Sequence, residues 1–367
     1  MVEIKLFNKS QLFEYIYSSD FGNSNCIPIT IHRALSQFKN TKLHEEDVIL
    51  LIAFCNGNVI GYLGVLPDIL SFNNNVIRIG WLSCLWVSDE FRGNGISYNL
   101  IIKALELWDN KLLTSDYVSY TKKIYDKTKL FNLKPYVKKG IRLYLKSDMQ
   151  NILPPKKPFL SKFLFLFKIL DFILNAFLNL RILLFYKFHT NFDFEYTNYA
   201  DDEINDFIKS KQNNQLFKKD KNDLNWIIQN PWILSEDKKS NLNKKYYFSS
   251  TVNLFRFHLI KIKNKRKELV GVILFSEKDK SLKIPYIYHN NIDCIIETIY
   301  FHVHVWKIKT LTTFNIEIVE GLKKGKSHPE VLKKEIIRNY IVSNPLSEYL
   351  FSPEIIIQDG DGDSVFT

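Results

Sequence analysis

Cysteine is scarce in this chain, and its placement excludes two kinds of small cross-linked domain. Only four of the 367 residues are cysteine, at positions Cys26, Cys55, Cys84 and Cys294. They show no paired spacing, so the sequence predicts neither a zinc knuckle nor a disulfide framework. The opening residues, MVEIKLFNKSQLFEY, lack an apolar signal core. We therefore expect a cytoplasmic chain that is not exported and keeps its thiols reduced.

Several common ligand-binding patterns are also missing. Neither the dinucleotide pattern G-x-G-x-x-G nor the triphosphate pattern that ends in Gly-Lys-Ser/Thr occurs. The pair His302 and His304 has no third ligand nearby, so no metal site is predicted. The formal net charge of +11 favours an anionic partner, although a drift of composition towards Lys, Asn and Ile explains it equally well. Because the basic residues are spread out and no nucleic-acid motif is present, we do not expect nucleic acid as a partner.

Length and patterning predict an α/β (α+β) chain of two domains. Residues 1–150 alternate strand and helix signals, with a capping box at Asn8 and Gln11 and a hairpin turn at Asn56-Gly57. In this half we predict DYVSYT as a strand and IRLYLK as the closing strand. Residues 191–367 repeat the order of elements and end with a predicted strand LTTFNIEIV, a helix PEVLKKEIIRNYI and a strand EIIIQ. The final residues, from about 359 on, are expected to be a solvated tail that turns back on that strand.

Residues 151–190 are predicted to hold a linker, NILPPKK, and a long apolar helix from Phe159 to Phe188. The helix is interrupted by charge too often to span a bilayer. Its polar residues form one narrow stripe, and the rest of its circumference is apolar. Such a helix either packs between domains or lies in a membrane interface, and the surplus of Lys and Arg around it suits an anionic membrane surface.

A short stretch from Val87 to Ser97 combines the features of an anion-binding turn. A strand ends near Val87, and Arg92-Gly93-Asn94-Gly95 leads into a helix that begins at Ile96. Glycines admit a ligand close to the main chain. The first amides of a helix lack intrahelical partners and lie at the positive end of its dipole. The stretch therefore favours a bound diphosphate.

The same stretch, LWVSDEFRGNGIS, resembles the signature of the GNAT superfamily of N-acetyltransferases, Arg/Gln-x-x-Gly-x-Gly/Ala. Arg92 and Gly95 match, and Ser97 stands where the family has Gly or Ala. The resemblance covers about residues 45–145. It implies two GNAT-like domains joined by the long apolar helix, each with a mixed, mostly antiparallel central sheet flanked by helices. The second domain lacks the glycine loop, so we expect it not to bind the cofactor.

This resemblance also implies a cofactor and a reaction. The donor would be acetyl-CoA, and the acceptor a small or lipid-linked amine, such as an amino sugar in envelope or polysaccharide synthesis. The amides of the loop would hold the CoA diphosphate, and the backbone at Trp86 and Val87 would pair with the pantetheine arm. The implied cofactor-binding residues are Trp86, Val87, Arg92, Gly93, Asn94, Gly95, Ile96 and Ser97. Arg33 is a candidate for gripping an anionic acceptor, the alternative being an ordinary surface arginine.

Catalytic groups are harder to assign from the resemblance. Members of the family often carry a carboxylate on the strand before the motif and a tyrosine in the following helix. Here that strand has Ser83 and Cys84 instead, and Phe131 aligns with the acid position, leaving Tyr125 and Tyr120 as the nearest phenols. Ser83 and Tyr125 are therefore the catalytic candidates. The departures leave open a decayed CoA-binding or scaffold protein, and the tandem arrangement leaves open aminoacyl transfer to envelope precursors.

Overall fold

The fold is known from a computed structural model of the chain. It describes residues 1–24, 26–73, 75–115, 117, 119–132, 134–185, 190–235, 245–324, 330–350 and 355–367. The strands are β1 (Val2–Phe7), β2 (Leu50–Cys55), β3 (Asn58–Phe72), β4 (Asn75–Val87), β5 (Leu112–Ser115), β6 (Tyr136–Tyr144), β7 (Asp193–Thr197), β8 (Leu234–Ser235), β9 (Thr251–Val252), β10 (Phe255–Lys263), β11 (Leu269–Lys278), β12 (Ser281–His289), β13 (Thr310–Thr313) and β14 (Leu332–Val342). The helices are α1 (Lys9–Ile16), α2 (Ser19–Asn23), α3 (Ile31–Phe38), α4 (Ile96–Leu107), α5 (Ser119–Thr128), α6 (Met149–Lys156), α7 (Leu164–Phe185), α8 (Asp202–Lys209), α9 (Lys221–Gln229), α10 (Ile292–Val305), α11 (Ile316–Lys324) and α12 (Ser347–Leu350).

Local signals in the sequence set the first elements. Asn8 caps α1 and forms the predicted capping box with Gln11, whose side chain accepts from the Asn8 amide at 3.0 Å. The β2–β3 turn has Asn56 at φ 49° and Gly57 at φ 77°. Two successive left-handed residues match the right-handed twist of the flanking strands, which is why Asn-Gly favours this hairpin.

The chain divides into two compact units that are each built from separate stretches. One unit comprises Met1–Lys138, Asn198–Phe255 and Arg338–Thr367, and the other comprises Lys139–Thr197 and Arg256–Ile337. The packing therefore does not follow the predicted division into consecutive domains of residues 1–150 and 191–367. The reason is strand pairing between distant parts of the chain, for which a single sequence carries no local signal.

The first unit contains the sheet order β1-β2-β3-β4-β5-β14. Neighbouring strands are antiparallel except for β4 and β5, which are parallel. The final strand comes from the C-terminal part of the chain, since Tyr340, Ile341 and Val342 pair with β5. One face of the sheet packs against α4 and α5 around Leu100 and Ile101, and the other packs against α1 to α3.

The second unit contains the order β6-β13-β12-β11-β10-β7. Its β12–β13 pair is parallel, and the β7–β10, β11–β12 and β13–β6 pairs are antiparallel. Strand β6, predicted to close the first domain, instead pairs with β13. The β11–β12 ladder is bulged between Leu274 and Ser276, and the bulge accommodates Pro285, which has no amide to donate. That each unit by itself is a GNAT domain stays a prediction.

Several predicted elements are wrong in type or position. The strand expected at DYVSYT lies earlier, at β5, and Ser119 already begins α5; Asp116 and Val118 lie outside the described residues. The predicted helix PEVLKKEIIRNYI is strand β14 from Leu332 on, because its Ile and Tyr residues suit a half-buried sheet, and Tyr340 and Ile341 pair with β5; Pro329 lies outside the described residues. The predicted strand LTTFNIEIV is a short strand, β13, followed by α11. EIIIQ forms only an isolated bridge at Ile356 in its described part.

The segment predicted as a linker is helical. Helix α6 includes Pro154 and Pro155 in its last turn and ends at Lys156, because Lys157 precedes Pro158 and takes the extended conformation that a following proline favours. A 3-10 turn, Pro158–Phe163, leads into α7. A long apolar helix is thus present, beginning later than predicted, and residues 186–188 lie outside the described part of the chain.

Candidate functional site

A gap opens between two parallel strands of the first unit. Strand β5 pairs with β4 only at Gly80 and Trp81, whereas β3 stays paired with β4 as far as Val87. Beyond Trp81, the edge of β4 that faces away from β3 therefore has no strand partner among the described residues. Open backbone of this kind is where an extended ligand pairs as an added strand.

A bulge lies in β4 beside this gap. Tyr62 pairs with Trp86 and Gly64 with Ser83, so Cys84 and Leu85 stand opposite a single residue of β3. Cys84 adopts φ 53°, a left-handed conformation that is uncommon for a residue other than glycine. Such a bulge removes one residue from the ladder and re-aims the backbone beside it.

The loop after β4 places helix α4 at the mouth of the gap. Gly93 and Gly95 adopt φ values of 88° and 77°, and a Cβ atom at either position would meet nothing within 4 Å. The two glycines are thus needed for their left-handed backbone conformation, and the space around each Cβ position is open. Gly95 is the N-cap of α4, where no side chain caps the helix and no acidic residue occupies the first turn. The first amides of the helix therefore face the opening.

These elements surround one cavity of about 670 Å³. Seven of the eight predicted cofactor-binding residues line it, the exception being Asn94, whose amide donates to Phe91 O at 3.4 Å. Arg92, Lys123 and Lys127 supply positive charge, and the lining within the described part of the chain includes no carboxylate. A highly charged anion with an extended arm fits this combination of helix amides, cations and open strand edge.

Comparison with known proteins identifies the fold. No family model and no curated protein sequence matches the chain. Among solved structures, a GCN5-related N-acetyltransferase from Anabaena variabilis matches at TM-score 0.50 and 12% identity, over 93% of this chain and 72% of that one. One from Kribbella flavida matches at TM-score 0.50 and 9% identity, over 93% and 70%. N-myristoyltransferase from Saccharomyces cerevisiae, with bound myristoyl-CoA, matches at TM-score 0.50 and 12% identity, over 94% and 82%. The chain has the GNAT fold.

The GNAT fold confirms the predicted fold class, a mostly antiparallel sheet flanked by helices. The two units differ at the start of one helix. Helix α10 follows β12 in the second unit as α4 follows β4 in the first. Its N-cap is Asn291, whose side chain accepts from the Asp293 amide at 2.9 Å, and Asp293 adds a negative charge to the first turn. The amides that are open in α4 are thus capped in α10, which disfavours an anion there.

Arg33 is not a surface arginine, because only 4% of it is exposed. Its guanidinium donates to Ser83 Oγ and to Tyr246 Oη, both at 2.7 Å, and contacts Cys84 Sγ. Its ring partner is Trp232, with 4.0 Å from Cζ to the ring centroid. Burial alone would lower the pKa of this guanidinium, but Cys84 and Tyr246 raise it above its usual value. Arg33 therefore stays charged and fixes the bulged strand from the side opposite α4.

An exposed stack of aromatic side chains adjoins the cavity of the first unit. Trp86 lines the cavity and packs against Tyr62, with ring centroids 5.3 Å apart. Tyr247 covers the outer face of Trp86 at 4.2 Å and an interplanar angle of 21°, while 63% of Tyr247 remains exposed. Rings that are apolar on their faces and polar at their tips are suited to partly wet binding surfaces.

The two catalytic candidates from the sequence are both buried. Ser83 is held by Arg33, and Tyr125 packs against Phe131 with ring centroids 4.8 Å apart. Neither lines the cavity within the described residues. Burial raises the pKa of Tyr125 to about 12, so its phenol is protonated at neutral pH. Tyr120, the other phenol considered, does line the cavity.

The C-terminal residues supply a carboxylate that the sequence analysis missed. The tail was expected to be solvated, but Val365 and Phe366 are buried, and Gly362 at φ 72° packs onto Trp81 of β4 so closely that a Cβ atom would lie 2.7 Å from its ring. Ser364 Oγ lies 3.4 Å from Ser115 Oγ at the end of β5.

Asp363 lies between two anchored residues, Gly362 against Trp81 of β4 and Ser364 beside Ser115 of β5, and it is half-buried. Its charge raises the pKa of both Arg33 and Tyr125. The signal in the sequence that the tail is buried was its apolar pair Val365-Phe366, which is unusual for a solvated tail.

Proposed function

We propose that this chain is an acyl-CoA-dependent N-acyltransferase that moves an acetyl group from acetyl-CoA to an amine. The observation that carries the proposal is the cavity at the diverging strands, where open helix amides, three cations and an unpaired strand edge converge. The GNAT fold supports acyl transfer in general. In support of an acetyl donor rather than a longer acyl chain, buried aromatic side chains pack beside the bulge: Tyr62 stacks on Trp86, and Tyr246 Oη lies 3.6 Å from Cys84 Sγ.

Each part of the donor has a counterpart in the cavity. We propose that the diphosphate lies on the amides of Arg92 to Ser97, with Lys123 and Lys127 offsetting its charge. The pantetheine arm would then pair with the open edge of β4 at Trp86 and Val87, which brings the thioester to the bulge at Cys84 and Leu85. A backbone amide freed by the bulge would hold the oxyanion that forms when the amine attacks the carbonyl.

A group is still needed to take the proton from the attacking amine. Asp363 is our candidate for this general base, because the tail contacts both strands that flank the gap and the Asp363 charge raises the pKa of Tyr125 and of Arg33. The sequence candidate Ser83 has no negatively charged group, and its Oγ already accepts a hydrogen bond from the Arg33 guanidinium. Tyr125 and Tyr120 remain candidates for protonating the departing CoA thiolate.

For the acceptor we propose an amino sugar, free or carried on a nucleotide or lipid. The supporting observation is the exposed stack of Tyr247 on Trp86, whose flat apolar surface complements the apolar face of a sugar ring. Acetyl-CoA is a cytoplasmic donor, so we propose a cytoplasmic reaction, on the inner face of the membrane when the acceptor is lipid-linked.

The test is release of the CoA thiol from acetyl-CoA in the presence of a panel of amines that includes amino sugars. Asp363→Asn should lower kcat at least tenfold without changing CoA affinity, and Asp109→Asn, the same chemical change at an exposed site, should have no effect. Thiol release that is equally fast in Asp363→Asn would remove Asp363 from the reaction and leave the transferase intact. Tight CoA binding with no release for any amine would instead favour the decayed CoA-binding protein.

A further inference from the structure

The helical segment Pro158–Ile182 carries an apolar surface that the rest of the described chain leaves uncovered. It is long and apolar enough to cross a membrane, with a mean hydropathy of 1.8, and only 11% of its most apolar part is buried. Its side chains Phe159, Phe165, Phe172 and Phe177 are between 62% and 75% exposed. At roughly 200 Å² per aromatic side chain, these four alone expose about 550 Å². The largest apolar patch on a typical monomer is about 300–600 Å², so this surface indicates an interaction site.

The middle of the polar stripe predicted from the sequence, Asp171 and Asn175, faces the rest of the second unit, whereas Ser161, Lys168 and Asn179 are exposed. The Asp171 carboxylate accepts from Ser147 Oγ at 2.6 Å and from the amides of Met149 and Gln150 at 2.8 and 3.1 Å. One turn further on, the Asn175 side chain bonds both the amide and the carbonyl of Ser147 at 2.8 Å.

Leu178 and Ile182 are buried along the same line of the helix. The polar stripe thus attaches α7 to the protein and turns its apolar residues outward. The exposed apolar face, which we define as Phe165, Leu166, Phe172, Ile173, Phe177 and Leu180, spans roughly 140° of the circumference at 3.6 residues per turn.

The attachment excludes a simple transmembrane orientation for this helix. Asp171 and Asn175 lie in the middle of α7, and both bond the polar segment at residues 147–150. If α7 crossed a bilayer, that segment and its backbone would enter the hydrocarbon layer with it. A helix that lies flat, with one face in the interface, keeps the segment on the aqueous side.

The charged residues along the segment indicate which kind of membrane surface the apolar face would bind. Lys156, Lys157, Lys162, Lys168 and Arg181 are all exposed along the segment, whereas its one acid, Asp171, is buried and hydrogen-bonded. At 3.6 residues per turn, Lys168 and Arg181 fall on opposite flanks of the apolar arc. Long basic side chains at such flanks reach the headgroups while the apolar residues between them enter the acyl region.

We propose that the apolar face of α7 docks on the surface of a bilayer that contains anionic lipid, with the helix parallel to the membrane plane. The proposal rests on this surface alone and does not depend on the acyl transfer proposed above. It would bring a soluble enzyme to amine acceptors held in the same membrane.

Vesicle co-sedimentation of the full chain tests the proposal. We expect the protein to sediment with phosphatidylglycerol-containing vesicles, at least tenfold less with pure phosphatidylcholine vesicles, and progressively less as salt is raised. The variant Phe165→Asn/Phe172→Asn/Phe177→Asn should lose at least tenfold in binding, and Lys162→Gln/Lys168→Gln/Arg181→Gln should lose the preference for anionic lipid. The control Phe13→Asn/Tyr17→Asn/Tyr199→Asn removes three aromatic side chains elsewhere that are each more than half exposed and should bind as the wild type does.

Equal recovery on neutral and anionic vesicles, or recovery on neither, would overturn the proposal. So would a dimer in sedimentation velocity without lipid that the triple phenylalanine variant converts to monomer, because a second copy would then cover the face. CoA affinity should be the same in all these variants, so a failure of membrane binding is distinguishable from a failure of the proposed reaction. Matching thermal melts would show that the exposed substitutions leave the fold intact.

Discussion

Replacing Gly95 with alanine separates the two roles that a glycine has at the start of α4. The added methyl group would meet no protein atom within 4 Å, so no clash arises within the protein itself. The remaining effect on stability is conformational, since φ is 77° and a left-handed L-residue is disfavoured by about 1–2 kcal/mol. The methyl group would, however, project into the space where we expect the diphosphate to approach the helix amides.

Gly57 provides a matched control for this substitution. It also has φ 77° and open space around its Cβ position, but it lies in the β2–β3 turn away from the cavity. Gly57→Ala and Gly95→Ala should therefore lower the free energy of unfolding by similar amounts, about 1–2 kcal/mol. Only Gly95→Ala should weaken CoA binding, by at least tenfold, which corresponds to about 1.4 kcal/mol.

Isothermal titration with CoA and a denaturant melt of each variant measure both quantities. Equal CoA affinity in Gly95→Ala and the wild type would refute the position of the diphosphate. A similar loss of affinity in both variants would show that the effect is carried by general destabilisation, not by the loop.

Three further predictions concern stability and stoichiometry. Asn291→Ala removes the cap of α10 and should lower the free energy of unfolding by about 1 kcal/mol, yet leave one CoA bound per chain by native mass spectrometry, because we expect the cofactor to bind at α4 and not at α10. Asp171→Ala leaves Ser147 and two amides without their acceptor and should destabilise the chain by roughly 2–3 kcal/mol in a urea melt, with partial recovery in Asp171→Asn. Burial raises the pKa of Asp361 from 3.8 to about 7, against the opposing charge of Lys219, so its contribution to stability is complete below about pH 4 and is lost as the pH rises through 7. Asp361→Asn, which resembles the protonated acid, should flatten the fall in melting temperature between about pH 4 and pH 7; an unchanged slope would contradict the buried carboxyl as its source.

Features set by neighbouring residues could be predicted from the sequence. The Asn8–Gln11 capping box and the Asn56-Gly57 hairpin depend on side chains within a few positions of each other, and the structure contains both. The loop from Arg92 to Gly95 is equally local, since its glycines and the helix start lie in one short stretch. The local pattern alone therefore singles out this loop, and Arg92, Gly93 and Gly95 line the cavity.

Features set by distant pairing could not be predicted in this way. Strand β14 pairs with β5, more than 200 residues away along the chain, and its apolar residues also fit a helical period. The buried tail depends on the fit of Gly362 against Trp81, which no local pattern shows. Asp363 was therefore missed, although it is our candidate for the general base.

Hydrogen–deuterium exchange with and without CoA tests the central claim most directly, because it reports on the backbone amides themselves. We expect CoA to slow exchange at residues 86–98, where the strand edge and the first turn of α4 would hold the cofactor. The corresponding stretch of the second unit, residues 288–298, should exchange at the same rate with and without CoA, since Asn291 already caps α10. Unchanged exchange at 92–98, or protection in the second unit instead, would contradict the account.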